Sequence, residues 1–392
     1  MMKIKFQIVM ILFFLIIMNS LHFSQKDSLP FYIDPSLFDA VQNKTLGLNY
    51  AEKSETFTVF SPKVNDNKYN HGVVLFPFKD YLYAQWQTSA KDEDAEDTYV
   101  VFSKSKDGKN WTQPEILAPK WNNGIYTSGG WWSYKDTLIA FINVWPEQNN
   151  KPRGGYSVYA ISADGICWSE FKRLLDINGE QINGIIEQDV HSLPNGRIIT
   201  AFHEQPGLIV SPYFTDDPKG LTGWTKGKMN NLPYNDFISR EIEPSWFYQS
   251  DGNIVMIFRD QAGSFKVLAS ISKDNGETWT TPAITNMPDS RAKQCAGNLP
   301  NGTAYMVNNP SGNKSRIPLT ITLSKDGKYF NKAFLLRSSK DLQPMKFEGK
   351  YKREGFSYPK SVIWKEHLYV SYATNKEDVE ITRIPIKNVE IK

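Results

Sequence analysis

A short segment occurs four times along this chain of 392 residues, at nearly constant spacing. Each copy has a Ser, an Asp two positions later, a Gly one or two positions after the Asp, and then an aromatic residue. The copies are Ser105–Trp111, Ser162–Trp168, Ser272–Trp279 and Ser324–Phe330, with a degraded fifth copy at Thr215–Trp224. Their first positions are separated by 57, 53, 57 and 52 residues. This regularity predicts one structural unit repeated along the chain.

Each copy has the composition of a tight turn between two strands. Asp and Ser side chains hydrogen-bond their own turn backbone, and Gly adopts positive φ without strain. A β-branched or alternating run precedes the four clear copies, at Tyr99–Phe102, Tyr156–Tyr159, Val267–Ser270 and Leu319–Leu323. A further short strand follows each copy. We therefore expect each copy to join two strands of a small sheet, with its aromatic residue packed into the core beside the turn.

The repeated segment resembles the Asp-box of the sialidase-like β-propellers, and the resemblance covers nearly the whole chain after its N-terminus. It implies an all-β fold, a single β-propeller with four antiparallel strands per blade. Five units lie between residues 69 and 339, and a sixth has only three strands, at Lys360–Trp364, Leu368–Tyr372 and Val379–Ile384. We expect Thr56–Ser61 to supply its fourth strand. Six blades are therefore predicted, and seven are the alternative if residues 31–55 contain further structure.

The N-terminus has the pattern of a targeting segment. Two lysines precede the apolar run Phe6–Met18, as in a secretory signal peptide. The run is short for a membrane span, and no Cys follows it, so we expect no membrane anchor and a periplasmic or secreted protein. The expected division is a signal peptide at 1–24, an N-terminal extension at 25–55 and the propeller domain at 56–392.

The composition excludes some function classes. Lys and Arg total 45 against 42 Asp and Glu, so we expect no nucleic-acid partner. Aromatic residues make up 14% of the chain, which favours a β protein or a sugar-binding surface. Cys167 and Cys295 lie far apart, and no CxxC or HxxxH occurs. A disulfide framework and a zinc site of that type are therefore not expected, and neither is a cofactor.

One face of the predicted propeller collects most of the polar candidates. Strands alternate direction within a blade, so this face holds the starts of the first and third strands and the ends of the second. Converging ionisable side chains predict a site there, whereas the Asp-boxes lie on the opposite face and are expected to be structural. The position of a residue within its repeat, here called its repeat phase, assigns these candidates to that face: Asn70, His71, Tyr126, Arg153, His191, His203, Glu241, Arg259, Lys293, Arg316 and Tyr358.

Three of the five histidines, His71, His191 and His203, share this phase. One such histidine would be interpreted as a satisfied structural residue, but three favour a functional role. Three histidines also form metal sites. The spacing of these three does not demand one, so no bound metal is expected.

The resemblance to sialidases extends to single residues. Sialidases that resemble this chain hold the substrate carboxylate with three arginines, and Arg259 and Arg316 look like the second and third. Tyr358 looks like the tyrosine nucleophile, and Glu241 looks like the acid that assists it. The acidic loop Asp92–Asp97 occupies the place of the acid/base aspartate.

The first arginine of that set is missing. The Arg-Ile-Pro of the family falls on Asn70-His71-Gly72 here. The charge-assisted hydrogen bonds from that arginine to the substrate carboxylate are therefore lost. The stretches Tyr69–Gly72 and Tyr81–Trp86 look more like another branch. That branch contains the propeller-fold ulvan lyases, relatives that cleave rhamnosyl-uronate bonds, and ulvan oligosaccharide dehydratases.

This second resemblance implies β-elimination on a uronic-acid-containing polysaccharide or oligosaccharide, as lyase or dehydratase. Arg neutralises the carboxylate and stabilises the enolate-like intermediate. One side chain takes the C5 proton and another protonates the oxygen leaving C4. The expected acid and base are His71 or His191, with Tyr126 or Tyr358 as partner. Substrate binding is expected from Asn70, Arg153, His203, Arg259, Lys293 and Arg316.

Two alternatives stay open at this point. The first is an exo-acting glycoside hydrolase, sialidase-like or rhamnosidase-like, in which Tyr358 and Glu241 act at the anomeric carbon. The second is a non-catalytic sugar-binding propeller. All of these interpretations share an acidic carbohydrate as the partner.

Overall fold

The computed structural model describes residues 29–147 and 154–391. The described chain is a six-bladed β-propeller in which every blade is a small antiparallel sheet. The all-β prediction and the choice of six blades are confirmed. The expected signal peptide and Arg153 lie outside the described residues.

The strands follow the chain in blade order, and each blade is given from its first to its fourth strand. Blade 1 contains Tyr69–Phe78, Tyr81–Ser89, Tyr99–Ser105 and Glu115–Ala118. Blade 2 contains Gly124–Tyr134, Thr137–Pro146, Tyr156–Ser162 and Lys172–Arg173. Blade 3 contains Gly184–Ile186 with His191–Ser192, then Ile198–Glu204, Ile209–Thr215 and Thr225–Lys226. Blade 4 contains Glu241–Tyr248, Ile254–Asp260, Lys266–Ser272 and Ala283–Pro288. Blade 5 contains Cys295–Asn298, Ala304–Asn308, Leu319–Ser324 and Lys332–Arg337. Blade 6 contains Phe356–Trp364, His367–Thr374, Asp378–Pro385 and Glu55–Phe60.

The last blade closes the ring with a strand from the N-terminal part of the chain. Glu55–Phe60 pairs antiparallel with Asp378–Pro385, and the hydroxyls of Thr56 and Thr382 are 2.8 Å apart. This confirms the predicted closure. Residues 31–55 add no seventh blade: Tyr32–Ile33 pairs in parallel with Tyr329–Phe330 beside blade 5.

Helical structure is confined to two short 3-10 turns in the described chain, Ser339–Asp341 and Ile386–Asn388. Within residues 29–147 and 154–391, no helix is long and apolar enough to cross a membrane.

All five Asp-box copies lie between the third and fourth strands of blades 1 to 5. In the first copy, Asp107 accepts hydrogen bonds from the backbone N–H of Asn110 at 2.8 Å and of Lys109 at 2.9 Å. The Ser105 hydroxyl donates to Asp107 and accepts from the N–H of Gly108. These backbone bonds hold the pKa of Asp107 well below its usual range. The boxes therefore act as turn locks, on the face opposite the ends of the second strands.

The hydrophobic core lies between adjacent blades. Val73, Leu75 and Trp86 of blade 1 pack with Tyr369 and Ile381 of blade 6 in one such cluster. Because both faces of an inner strand are covered by neighbouring blades, these strands are apolar and buried along most of their length. The packed blades fix the strand ends around the central axis, and those ends carry the site.

Candidate active site

The first strands of four blades are interrupted at the same place. The pairing between first and second strands skips at Gly72 in blade 1, at Gly129 in blade 2, at Glu243-Pro244 in blade 4 and at Tyr358-Pro359 in blade 6. Glu243 has φ of 57° and Tyr358 has φ of 56°. A non-glycine residue in this region costs about 1–3 kcal/mol, which is typical of functional sites. The interruption turns both side chains toward the axis of the propeller.

Tyr358, Glu243 and Arg259 form one hydrogen-bonded group. Nη1 of Arg259 lies 3.0 Å from the Tyr358 hydroxyl and 3.1 Å from Oε2 of Glu243. The Tyr358 hydroxyl also hydrogen-bonds the Glu243 carboxylate. Nη2 of Arg259 donates to Gln261 at 3.0 Å. A tyrosine hydroxyl therefore lies between a carboxylate and a guanidinium.

The charges of this group set its protonation. Burial and the charge of Glu243 raise the pKa of Tyr358 well above its usual range. Burial by itself raises the pKa of Glu243, but Arg259, Lys293 and the hydrogen bond from Tyr358 outweigh it and lower the net pKa. Tyr358 is therefore protonated and Glu243 ionised at neutral pH, which makes Glu243 the acceptor for the phenolic proton.

Arg316 is a buried cation without an ion pair in the described part of the chain. Its side chain is 7% exposed, and Nη1 donates to the Ser357 hydroxyl at 2.6 Å. The guanidinium lies 5.4 Å from the centre of the Tyr358 ring. Burial, together with the like charge of Arg259, lowers the pKa of Arg316. A buried charge that lacks a carboxylate partner is unfavourable, so this position favours an anionic ligand.

His71 packs against Tyr358 from blade 1. The ring centres are 4.3 Å apart, and neither ring nitrogen has a hydrogen-bond partner among the described residues. Burial, with the charges of Lys376, Arg316 and Lys293, lowers the pKa of His71 well below its usual range. The imidazole is therefore neutral, and it directly follows Asn70, the position where the resemblance would place an arginine.

Glu187, His203 and Lys293 form the opposite wall of a cavity of about 180 Å³ that Tyr358 also lines. Glu187 accepts from Nζ of Lys293 at 2.6 Å and contacts Nδ1 of His203 at 2.8 Å. Burial alone raises the pKa of Glu187, but Lys293 and His203 lower it well below its usual range. In this wall the negative charge of Glu187 is therefore balanced by the positive charge of Lys293.

A second cavity of about 250 Å³ lies on the other side of Tyr358. Glu93, from the acidic loop, and Tyr358 line both cavities, and Glu93 forms an ion pair with Lys376. Apart from Glu93 the charged side chains of the second cavity are all cations: Arg259, Arg291, Lys314, Arg316, Arg353 and Lys376.

The structure brings six of the expected site residues together around these two cavities. They are His71, His203, Arg259, Lys293, Arg316 and Tyr358. Four others, Asn70, Tyr126, His191 and Glu241, line neither cavity.

His191 is displaced because the first strand of blade 3 is broken. The expected start at Gln188–His191 falls mostly in the gap between the short strands Gly184–Ile186 and His191–Ser192, and the blade begins at Gly184 instead. His191 pairs with Ile199 near the beginning of the second strand, whereas His203 lies near its end. The ring contacts Trp246 and Nε2 lies 2.6 Å from Asp189. The placement of His191 in the funnel is therefore corrected.

Tyr126 and Asn70 are used in packing and loop support. The Tyr126 ring stacks on Trp121 at 5.7 Å and contacts Phe171. The Asn70 amide donates to the carbonyl of Glu377 and accepts from the Trp86 indole, both at 3.0 Å. Both side chains therefore make their contacts away from the two cavities.

Glu243 occupies the position that the resemblance assigned to Glu241. The Glu241 carboxylate is fully buried and accepts from the side chain of Asn231 at 2.6 Å and from the N–H of Leu232. It holds a loop and does not reach Tyr358. A signal for Glu243 was present in the sequence, because Glu-Pro in blade 4 and Tyr-Pro in blade 6 share one repeat phase.

Glu187 and Lys376 were not identified from the sequence. Glu187 lies in the break of blade 3, one residue before the expected strand. Lys376 lies in the turn between the second and third strands of blade 6, a turn that also belongs to the functional face. No group of three His, Cys, Asp or Glu suited to a metal ion occurs among residues 29–147 and 154–391.

Comparisons with solved structures agree with this fold at low sequence identity. A sialidase matches with a TM-score of 0.59 and 21% identity over 91% of this chain, which spans only 35% of that protein. The Hadza microbial sialidase Hz136 matches with a TM-score of 0.65, 14% identity and coverage of 86% and 69% of the two chains. A protein of unknown function from Dyadobacter fermentans matches with a TM-score of 0.64, 18% identity and coverage of 84% and 98%. These likenesses establish the fold.

No curated protein sequence matches this chain. The family model described as BNR repeat-like domain matches residues 80–370, well over half of the chain. The matched region contains the five Asp-box copies and most of the residues around Tyr358. The chain therefore belongs to the BNR repeat-like family.

Proposed function

We propose that this protein is a retaining glycosidase that removes an acidic sugar, with Tyr358 as nucleophile and Glu243 as its base. The observation that carries the proposal is the partly buried contact of the Tyr358 hydroxyl with both Nη1 of Arg259 and the Glu243 carboxylate. A phenol needs an adjacent base to act as a nucleophile. This group supplies one, together with a cation that stabilises the phenolate as it forms.

The reaction proceeds in two displacements. Glu243 takes the phenolic proton while the Tyr358 oxygen bonds to the anomeric carbon and the glycosidic bond breaks. Glu93 and Lys376 form an ion pair at the edge of the cavities. This pair holds one exchangeable proton, carried by the ammonium, and donates it to the leaving oxygen. Water then attacks the glycosyl-tyrosine, the same pair takes a proton from that water, and Tyr358 leaves and recovers its proton from Glu243. The configuration at the anomeric carbon is retained.

The position of the arginines narrows the sugar class. Arg259 and Arg316 both contact Tyr358, through its hydroxyl and its ring respectively. A carboxylate bound by these two guanidinium groups lies beside the atom that Tyr358 attacks. A sugar whose anomeric carbon itself carries the carboxylate satisfies this geometry. The names of the similar sialidases support the same class.

Mass spectrometry of the products tests the proposal. The purified protein is incubated with oligosaccharides that end in a 2-ulosonic acid such as N-acetylneuraminic acid. We expect a released acidic sugar and a total product mass that exceeds the substrate by one water. Trapping the Tyr358 adduct with a fluorinated analogue of the sugar and locating it by peptide mapping would identify the nucleophile. Turnover of no terminal acidic sugar, with no adduct formed, would reject the proposal.

A second candidate is β-elimination at a uronic acid, favoured by one observation. His71 is neutral, buried and unpartnered among the described residues, and it lies against the Tyr358 ring. In a uronate the carbon beside the carboxylate is C5, so the same two arginines would place the C5 proton near His71 and Tyr358. One of these takes that proton, the C4–O bond breaks, and the other side chain, or the Glu93–Lys376 pair, protonates the leaving oxygen. An ulvan-like polysaccharide or its oligosaccharides would be the substrate.

The two candidates differ in product and in the residue they need. Elimination produces a C4–C5 double bond that absorbs in the ultraviolet, and it adds no water. Hydrolysis adds one water and creates no chromophore. Replacing His71 by Gln should abolish elimination, whereas hydrolysis depends on Glu243. A protein that binds acidic sugars without either product would be a non-catalytic binder.

A further inference from the structure

The second cavity holds more positive charge than one carboxylate neutralises. Six cations and one carboxylate line it. Arg259 forms an ion pair with Glu243, and Lys376 forms one with Glu93. The remaining four cations, Arg291, Lys314, Arg316 and Arg353, make no ion pair with any described residue.

These cations are held together by the backbone. Arg316 pairs in a parallel bridge with Gly355, and the N–H of Phe356 donates to the carbonyl of Arg316 at 3.0 Å. This contact fixes the loop of Arg353 beside the loop of Lys314. Arg291 has φ of 56°, and its buried Nε has no hydrogen-bond partner among the described residues. Like charges held in a concave site repel each other unless an anion is bound.

We infer that the substrate carries a second anionic group, such as a sulfate or phosphate ester, bound by Arg291, Lys314 and Arg353. The inference rests on the proposed function, in which Arg316 and Arg259 bind the carboxylate. Arg316 is nine-tenths buried and lies at the floor of the cavity, whereas Lys314 and Arg353 are exposed at its mouth. The carboxylate therefore occupies the floor, and the second anion occupies the mouth.

Binding of matched sugars tests this inference. The probes are N-acetylneuraminic acid and methyl glucuronoside, each as the parent acid, as the separate monosulfated regioisomers and as the corresponding phosphate esters. Calorimetry gives the Kd of each for the wild-type protein, for Arg316→Gln and for the double variant Lys314→Gln/Arg353→Gln. Lys350→Gln is the matched control, because Lys350 lies in the loop of Arg353 but does not line the cavity.

We expect at least one ester to bind about tenfold tighter than its parent acid. The double variant should lose that advantage and leave the Kd of the parent within about twofold, because the mouth cations contact only the second anion. Lys350→Gln should behave as the wild type, and a preference between the sulfate and phosphate esters identifies which group is bound. Esters that bind no tighter than their parents, or a double variant that keeps the advantage, would overturn the inference. Parent acids that do not bind, or that bind Arg316→Gln as well as the wild type, would instead overturn the proposed function.

Discussion

Glu243 and Tyr358 occupy the same position of the repeat in blades 4 and 6. Each interrupts the pairing of the first two strands, each precedes a proline, and their φ angles differ by a single degree, at 57° and 56°. The shared interruption turns both side chains out of the blade and toward each other across the axis. The backbone strain at the two positions is held by the packed blades around them.

Replacement of Tyr358 by Phe should remove activity and leave the fold intact. The substitution deletes only the hydroxyl that contacts Arg259 and Glu243. We expect kcat/KM for the acidic substrate to fall by at least about 10³-fold, because the nucleophile is lost. Tyr126→Phe is the matched control, since Tyr126 packs on Trp121 away from both cavities. Equal effects of the two substitutions would contradict the role of Tyr358.

Glu243→Gln and Glu241→Gln should separate catalysis from stability. Glu243→Gln removes the base beside Tyr358, and we expect kcat/KM to fall by about 10²-fold or more. Glu241→Gln weakens the hold on Asn231 and Leu232, and we expect the free energy of unfolding to fall by about 1 kcal/mol. Kinetics and urea unfolding of both variants check this. Loss of activity from Glu241→Gln alone would return the acid role to that residue.

The stability of the protein should depend on the ionisation of Asp289. Burial, partly offset by hydrogen bonds from Asn308 and the backbone, raises the pKa of Asp289 to about 6. The folded state therefore holds this proton more tightly than the unfolded state. The resulting stability is present below about pH 4 and is lost as the pH rises through about 6.

Asp289→Asn does not titrate, so its unfolding free energy relative to the wild type should rise between pH 4 and 7. The expected rise is on the order of 2–3 kcal/mol. Urea unfolding of both proteins at each pH measures it. A difference that stays constant across this range would contradict the raised pKa.

Asp326→Ala should lower stability without changing activity. Asp326 accepts hydrogen bonds from the Ser324 hydroxyl and from the N–H groups of Lys328 and Tyr329. Its loss should reduce the free energy of unfolding by about 1–2 kcal/mol, while kcat/KM stays within about twofold because the turn lies on the other face. Asp251→Ala, which removes an exposed ion pair with Lys328 and one long hydrogen bond from the N–H of Asn253, should cost less, about 0.5 kcal/mol. A loss of activity in Asp326→Ala, with the protein folded, would show that the Asp-box face takes part in function.

The sequence alone determined the repeat, the number of blades and the strand that closes the ring. Ser, Asp and Gly in a fixed pattern specify a turn through local hydrogen bonds and positive φ. The spacing of the turns can therefore be recognised from the sequence without knowledge of any tertiary contact. The same phase placed His71, Arg259, Arg316 and Tyr358 on one face, and the structure brings all four together.

Tertiary structure decided which of the phased residues meet. Repeat phase assigns a residue to a face, but it does not reveal a broken strand such as the first strand of blade 3. That break moves His191 away from the cavities and places Glu187 in the lining of one of them. The repeat position also does not distinguish Glu241 from Glu243, because residues two apart point to the same side of a regular strand. Only the interruption of the strand before Pro244 turns the Glu243 carboxylate toward Tyr358. The pairing of charges across the axis depends on residues that are far apart in the chain, and only the closed ring of blades brings them within hydrogen-bond distance.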